Sequence, residues 1–227
     1  MFDETITHSN RRGFLTRTAA GAAMAALASL PTWVEAQAPA MSQEVDAHQM
    51  WIHGIKTKYR QLFETPKMDN FIPLHHIANY YGAWRATAGV REHDMTAVLG
   101  ITGFAVPLLL SDAMWAKYGL GKMMGLTDAS TGQPYTRNPY QNPQNGELFG
   151  APTVTPAALQ RLGAKIILCN NALGLWIALT SGASGQAPAT VRAEFLANLA
   201  PGVTLIPAMV QAVEQAQRAG LTYMKNG

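Results

Sequence analysis

Short apolar runs alternate with helix-forming segments along most of this chain, and this alternation constrains its fold more than any other feature. The apolar runs are TAVLGIT at 96–102, KIILC at 165–169 and VTLI at 203–206. Nearly continuous apolar runs of this length are typical of strands that are buried on both faces. Each run is followed by a helical segment, so the strands are expected to be parallel and joined by right-handed crossovers. The pattern predicts a doubly wound α/β domain with a mostly parallel sheet of about five strands and helices on both faces.

The remaining elements follow from periodicity, prolines and glycines. Predicted strands cover 59–64, 96–102, 165–169, 203–206 and 221–225, and predicted helices cover 42–56, 73–87, 106–118, 155–163, 171–180, 188–199 and 208–219. We expect the first of these helices to lie on the surface. Residues 122–154 form a long loop that is rich in proline, asparagine and glutamine. A loop of this length is a lid, an oligomer contact or a tolerated surface insertion, and the sequence leaves these open.

Composition excludes several classes of protein. The chain has 227 residues, of which 48% are hydrophobic and 14% charged, enough apolar material for one sizeable core in one or at most two domains. Its net charge of +3 comes from basic residues spread singly along the chain, so we expect no nucleic-acid partner. Cys169 is the one cysteine, which excludes an internal disulfide and any zinc or iron–sulfur site held by several cysteines of a single chain.

No metal and no cofactor are expected. His75 and His76 are adjacent on a predicted helix, so they point about 100° apart and are poorly placed to share a metal ion. Walker, GxGxxG, GxSxG and HExxH motifs do not occur in residues 39–227.

The N-terminus has the pattern of a twin-arginine export signal. SNRRGFL at 9–15 precedes an Ala/Gly-rich stretch, and Ala36-Gln37-Ala38 provides small residues for cleavage. The apolar stretch is too short for a stable membrane span, which needs about 20 residues. We therefore predict an export signal at 1–38, a helical extension at 39–58, an α/β domain at 59–227 and a periplasmic location. Whether the signal is removed or kept as an anchor stays open.

The lone thiol lies at the edge of the sheet where ligands are expected. Cys169 ends the KIILC run and precedes a helix that starts with Asn170 and Asn171, and open α/β sheets bind ligands at the carboxyl ends of their strands. A helix N-terminus favours a thiolate, which is the nucleophilic form. Free cysteine is also a common core residue, so simple packing is the alternative.

Several segments in order resemble one family. These are NYYGAW at 79–84, GFAVP at 103–107, DAMWAKYGLG at 112–121, LGAKIILCNNALG at 162–174 and PGVTLIPAMVQAVEQAQRAGLTYMK at 201–225. They resemble the DsrE/DsrF-like family in its exported, twin-arginine branch, across most of residues 59–225. The resemblance implies a flavodoxin-like α/β subunit of a homo- or hetero-oligomer that serves sulfur oxidation or sulfur relay. In members that carry sulfur, a cysteine at the strand-to-helix turn holds it as a persulfide, and Cys169 matches that position.

The resemblance and the residues together suggest a periplasmic sulfur carrier with a sulfurtransferase-like activity. Cys169 would hold the persulfide, Asn170, Asn171 and the following backbone N–H groups would stabilise its charge, and Lys117 or Arg137 would add a positive field. The expected partners are a sulfur donor or acceptor protein and further copies of the chain. One alternative is a non-catalytic module that binds a ligand or partner, with Cys169 merely packed. A flavin oxidoreductase rests on fold analogy alone.

Overall fold

The computed structural model describes residues 51–68, 71–144 and 154–227. The predicted export signal, residues 39–50 of the predicted extension and residues 145–153 of the long loop lie outside these ranges.

Strands and helices alternate along the described chain. The strands are β1 (Tyr59–Thr65), β2 (Met95–Ile101), β3 (Lys165–Cys169), β4 (Val203–Ile206) and β5 (Thr222–Lys225). The helices are α1 (Ile72–Ala88), α2 (Asp112–Tyr118), α3 (Leu120–Met123), α4 (Pro156–Arg161), α5 (Asn170–Ser184), α6 (Pro188–Ala197) and α7 (Met209–Arg218), with 3-10 helices at Glu92–Asp94 and Gly103–Leu109. The bounds of β3 and β4 are those that their apolar runs predict.

The five strands form one sheet in the order β4-β3-β2-β1-β5, and every neighbouring pair is parallel. Connections from β1 to β4 all step in one direction, while the connection from β4 to β5 crosses back over the whole sheet. Because crossovers are right-handed, connections that run in opposite directions place their helices on opposite faces of the sheet. The predicted flavodoxin-like, doubly wound α/β fold is confirmed.

Two neighbouring residues of β1 identify the faces. Phe63 packs edge-on against Tyr80 of α1, with 5.7 Å between the ring centroids. On the other face, a Cβ at Gly100 would stand 3.0 Å from Met209 Sδ and 3.2 Å from Leu62 Cδ1. Glycine in β2 therefore leaves the room in which the first side chain of α7 lies across the sheet.

The predicted helix at 106–118 is wrong in its first half. A 3-10 helix ends at Leu109, Leu110 is extended with φ −90° and ψ 144°, and α2 begins only at Asp112. Pro107 lacks the N–H that a continuous helix would need. The Leu110 carbonyl is instead bonded by Asn138 Nδ2 at 2.7 Å.

Asn138 links the long loop by hydrogen bonds to the non-helical segment around Leu110. Its side chain is fully buried, and Nδ2 donates to the carbonyls of Pro107, Leu108 and Leu110 at 2.7–3.2 Å. Its Oδ1 accepts the N–H groups of Tyr140 and Gln141. This part of the loop is thus anchored in the core, which is more than a surface insertion requires.

The described part of the predicted N-terminal helix is helical at 51–53. Trp51, Ile52 and Ile55 are buried, so this part does not lie on the surface as predicted. Within the described ranges, none of the helices has the length and apolar character needed to cross a membrane.

Candidate functional site

Cys169 lies at the carboxyl edge of the sheet because β3 ends there and α5 starts at the next residue. Its backbone is extended, with φ −69° and ψ 117°, and Asn170 is already helical. The side chain is only 4% exposed. The thiol is therefore enclosed at the start of a helix rather than displayed on a loop.

The helix that follows the neighbouring strand β4 supplies a hydrogen-bond donor to the sulfur. Cys169 is in register with Ile206 of β4, and the short turn after Ile206 leads directly into α7. The first N–H of that helix, from Met209, donates to Cys169 Sγ at 3.4 Å. The sulfur thus lies beside the N-termini of two helices, α5 and α7.

The two asparagines after Cys169 have different surroundings. Asn170 is buried, and its Oδ1 accepts a hydrogen bond from Arg192 Nη2 of α6 at 3.0 Å. Asn171 is exposed. Arg192 is therefore a cation that hydrogen-bonds to the residue next to Cys169.

Lys117 is held by a carboxylate. Its Nζ lies 2.6 Å and 2.7 Å from the two carboxylate oxygens of Glu194 in α6, and Tyr118 Oη also donates to this carboxylate. The hydrogen bond that Lys117 donates to Glu194 raises the pKa of Lys117, while the hydrogen bonds from Lys117 and Tyr118 lower the pKa of Glu194. These contacts tie α2 to α6.

Arg137 is engaged within the long loop. Its Nη1 donates to the Asn142 carbonyl at 2.9 Å, its Nη2 lies 3.9 Å from Asp128, and its guanidinium lies over the ring of Tyr135. These contacts of Lys117 and Arg137 link other parts of the fold and do not involve Cys169.

A second crevice at this edge, between β1 and β5, is filled by the chain itself. Asn226 follows β5 and is fully buried, and its Nδ2 donates to Thr65 Oγ1 and to the Pro73 carbonyl. Its Oδ1 lies 2.6 Å from His76 Nδ1. In sheets of this kind ligands usually bind where the connections that leave two neighbouring strands go to opposite faces of the sheet. Here these strands are β3, followed by α5, and β4, followed by α7, so the candidate site is the crevice beside Cys169.

Sequence reasoning missed Met209 and Arg192. Met209 opens the helix after VTLI and Asn170 opens the helix after KIILC, so both strand-to-helix turns lie at the carboxyl edge of the parallel sheet. The donor to sulfur is a backbone N–H, however, and no side-chain type indicates it. Arg192 has no local signal at all.

The fold and the site define a parallel α/β protein with a single enclosed thiol at the carboxyl edge of its sheet. No family model matches the chain, and no curated protein does. The chain is similar in fold to a solved structure described as a protein of unknown function, MTH1491 from Methanobacterium thermoautotrophicum. The match has 17% sequence identity and a TM-score of 0.37, and it covers 74% of this chain and 99% of that one.

Proposed function

We propose that this protein is a periplasmic, DsrE-like sulfur carrier that holds sulfur as a persulfide on Cys169. The observation that carries the proposal is the hydrogen bond from the Met209 N–H to Cys169 Sγ. It joins the two segments on which the family resemblance most depends, CNNAL and PGVTLIPAMV. Two stretches far apart in the chain thus converge on one sulfur atom.

The chemistry requires a nucleophilic sulfur and a stabilised anion. The Cys169 thiolate attacks a terminal sulfur of a polysulfide, an S–S bond of the polysulfide breaks, and the shortened polysulfide leaves with the electron pair. An acceptor thiolate then attacks the outer sulfur, and Cys169 leaves as thiolate. The two transfers are exchange reactions and consume no external oxidant. The Met209 N–H and the α5 N-terminus favour the charged forms of Cys169 in both steps.

Burial of the thiol fits the proposed compartment. An unpaired cysteine in an oxidising periplasm is exposed to oxidation and to mixed disulfides unless it is shielded. A side chain that is 4% exposed is shielded at rest, so transfer requires the residues around Cys169 to open. The periplasmic location rests on the twin-arginine pattern at Arg11 and Arg12.

The test is mass spectrometry of the intact protein after incubation with inorganic polysulfide. We expect a gain of one sulfur atom that dithiothreitol reverses and that Cys169→Ser lacks. Because the chain has no other cysteine, the variant removes every thiol and serves as the control. Absence of the adduct, or an adduct that persists in Cys169→Ser, contradicts the proposal.

The same burial favours a second candidate, a partner-binding α/β module in which Cys169 is a core residue. Titration of the native protein with a thiol reagent separates the two functions. A thiol that reacts only after denaturation supports the module, whereas slow reaction in the native state supports the carrier.

A further inference from the structure

Thr102 extends β2 by one residue at the carboxyl edge of the sheet. Its backbone is extended, with φ −146° and ψ 177°, and its N–H donates to the Thr65 carbonyl of β1 at 3.1 Å. The pairing of β2 with β3 ends at Ile101 and Leu168. Thr102 and Cys169 are the residues that follow on the two strands, so they lie side by side.

The Thr102 side chain points to the same face of the sheet as the Cys169 thiol. A Cβ at Gly100 would contact Met209 of α7, and side chains two residues apart on a strand share a face. Thr102 therefore lies on the face that α7 covers. Gly100 is in register with Ile167, two residues before Cys169, which places the thiol on this face too. Neighbouring strands are about 5 Å apart, so the hydroxyl and the sulfur are close.

The hydroxyl of Thr102 is available to a further group. Thr102 is half-buried, and the hydrogen bonds that it makes with the described residues come from its backbone, which contacts Thr65 and Ala105. Cys169 Sγ accepts its hydrogen bond from the Met209 N–H instead. An unused hydrogen-bond donor thus lies next to the enclosed thiol.

The turn after Thr102 holds this donor in place. Gly103 has φ +53°, and a Cβ there would lie 2.6 Å from the Pro66 carbonyl oxygen, so the turn requires glycine. Trp176 Nε1 of α5 donates to the Gly103 carbonyl at 3.0 Å. Because α5 starts directly after Cys169, this contact fixes the position of Thr102 relative to the thiol.

We propose that the Thr102 hydroxyl donates a hydrogen bond to the outer sulfur of a persulfide on Cys169. This inference rests on the proposed carrier function. An S–S bond is about 2 Å long, so the outer sulfur extends beyond Sγ and comes within reach of a hydroxyl on the adjacent strand. In the ionised persulfide the negative charge lies on this outer sulfur. The Met209 N–H and the Thr102 hydroxyl then serve one sulfur atom each.

Titration of the full chain with inorganic polysulfide tests this role, with the persulfide measured by intact mass after rapid alkylation. A hydrogen bond to a charged acceptor changes an equilibrium constant by about tenfold or more. We expect Thr102→Val to lower the equilibrium constant for persulfide formation about tenfold. Thr102→Ser keeps the donor and should recover most of this loss. Thr102→Ala also lacks the hydroxyl and should repeat the loss seen with valine.

Thr204→Val is the matched control. Thr204 is a half-buried threonine of β4 on the same face, but it is in register with Ile167 rather than with Cys169. Its change should leave persulfide formation unaltered. Alkylation of the unmodified thiol by iodoacetamide is the second control. Its rate should be the same in Thr102→Val and the wild type, because the hydroxyl acts on the outer sulfur and not on Sγ.

The outcomes separate this role from the carrier function. A wild type that gains no sulfur overturns both. When the wild type is loaded, the role of Thr102 alone is overturned if Thr102→Val is loaded equally well, or if Thr102→Ser is loaded as poorly as Thr102→Val. It is also overturned if Thr102→Val slows alkylation of the unmodified thiol as much as it lowers persulfide formation. Thermal melting confirms that each variant folds.

Discussion

The Met209 N–H can be removed without breaking the helix that supplies it. Met209 is the first residue of α7, and proline is tolerated at that position because its N–H has no helical acceptor. The preceding Ala208 has φ −149° and ψ 138°, an extended conformation that a following proline allows. Met209→Pro thus deletes the donor to Cys169 Sγ. Met209→Ala removes the same side chain but keeps the donor, so the pair isolates the hydrogen bond.

The size of the effect follows from the contact. A hydrogen bond to a charged group contributes about 1.5–3 kcal/mol, and the long 3.4 Å bond to sulfur belongs at the lower end. A loss of about 1.4 kcal/mol corresponds to about tenfold less stabilisation of the charged sulfur. A thiolate that is less stabilised is also a stronger nucleophile, and this offsets almost half of the tenfold loss on a logarithmic scale. The net slowing of the reaction is therefore about three- to fourfold.

The assay is the rate of alkylation of Cys169 by iodoacetamide at neutral pH. We expect Met209→Pro to react about three- to fourfold more slowly than Met209→Ala. Both variants remove the long Met209 side chain, so the exposure of the sulfur changes in the same direction in both. Urea unfolding should place their stabilities within about 1 kcal/mol of each other. Equal rates, or a faster proline variant, would show that the N–H does not stabilise negative charge on this sulfur.

Two further predictions concern the surroundings of the site. Asn138→Ala leaves the N–H groups of Tyr140 and Gln141 without their acceptor and should lower the free energy of urea unfolding by about 2–5 kcal/mol. Asn142→Ala, at an exposed position of the same loop, should change it by less than about 0.5 kcal/mol. Equal losses in the two variants would contradict the anchoring role of Asn138. Folding lowers the pKa of Glu194, so its ion pair with Lys117 stabilises the protein at pH values above the ordinary carboxyl pKa and is lost as the pH falls. Between about pH 5 and pH 3 the melting temperature of Glu194→Gln should therefore drop less than that of the wild type. An equal drop in the two proteins would refute this.

The sheet was predictable because its strands β2 and β3 are buried almost throughout and the edge strand β4 is still nearly all apolar. KIILC and VTLI are nearly pure apolar runs, and their bounds match β3 and β4. The break between Leu109 and Asp112 was not predictable from periodicity alone. Its carbonyl groups are bonded by Asn138, about thirty residues away, and such long-range contacts leave no local pattern.

The site was predictable in position but not in its polar contacts. A strand-to-helix turn in a parallel sheet places Cys169 at the carboxyl edge whatever its neighbours are. Lys117 and Arg137 were candidate cations by charge, yet Glu194 and Asp128 bind them from other parts of the chain. The sequence shows which side chains are charged, whereas the fold determines which oppositely charged side chain lies next to each of them.

The pairing of β5 with β1 has a consequence for how the molecule is assembled. Gln61 is in register with Thr222, so the inner strand β1 receives one of its two neighbours only after nearly all of the domain has been synthesised. Until then the open edge of β1 can pair with other chains, and contacts of such large sequence separation form slowly. If the proposed twin-arginine signal exports the chain in its folded state, a complete sheet can be transported only after β5 has been inserted. Release of the last strand from the ribosome would therefore set the order of folding and export.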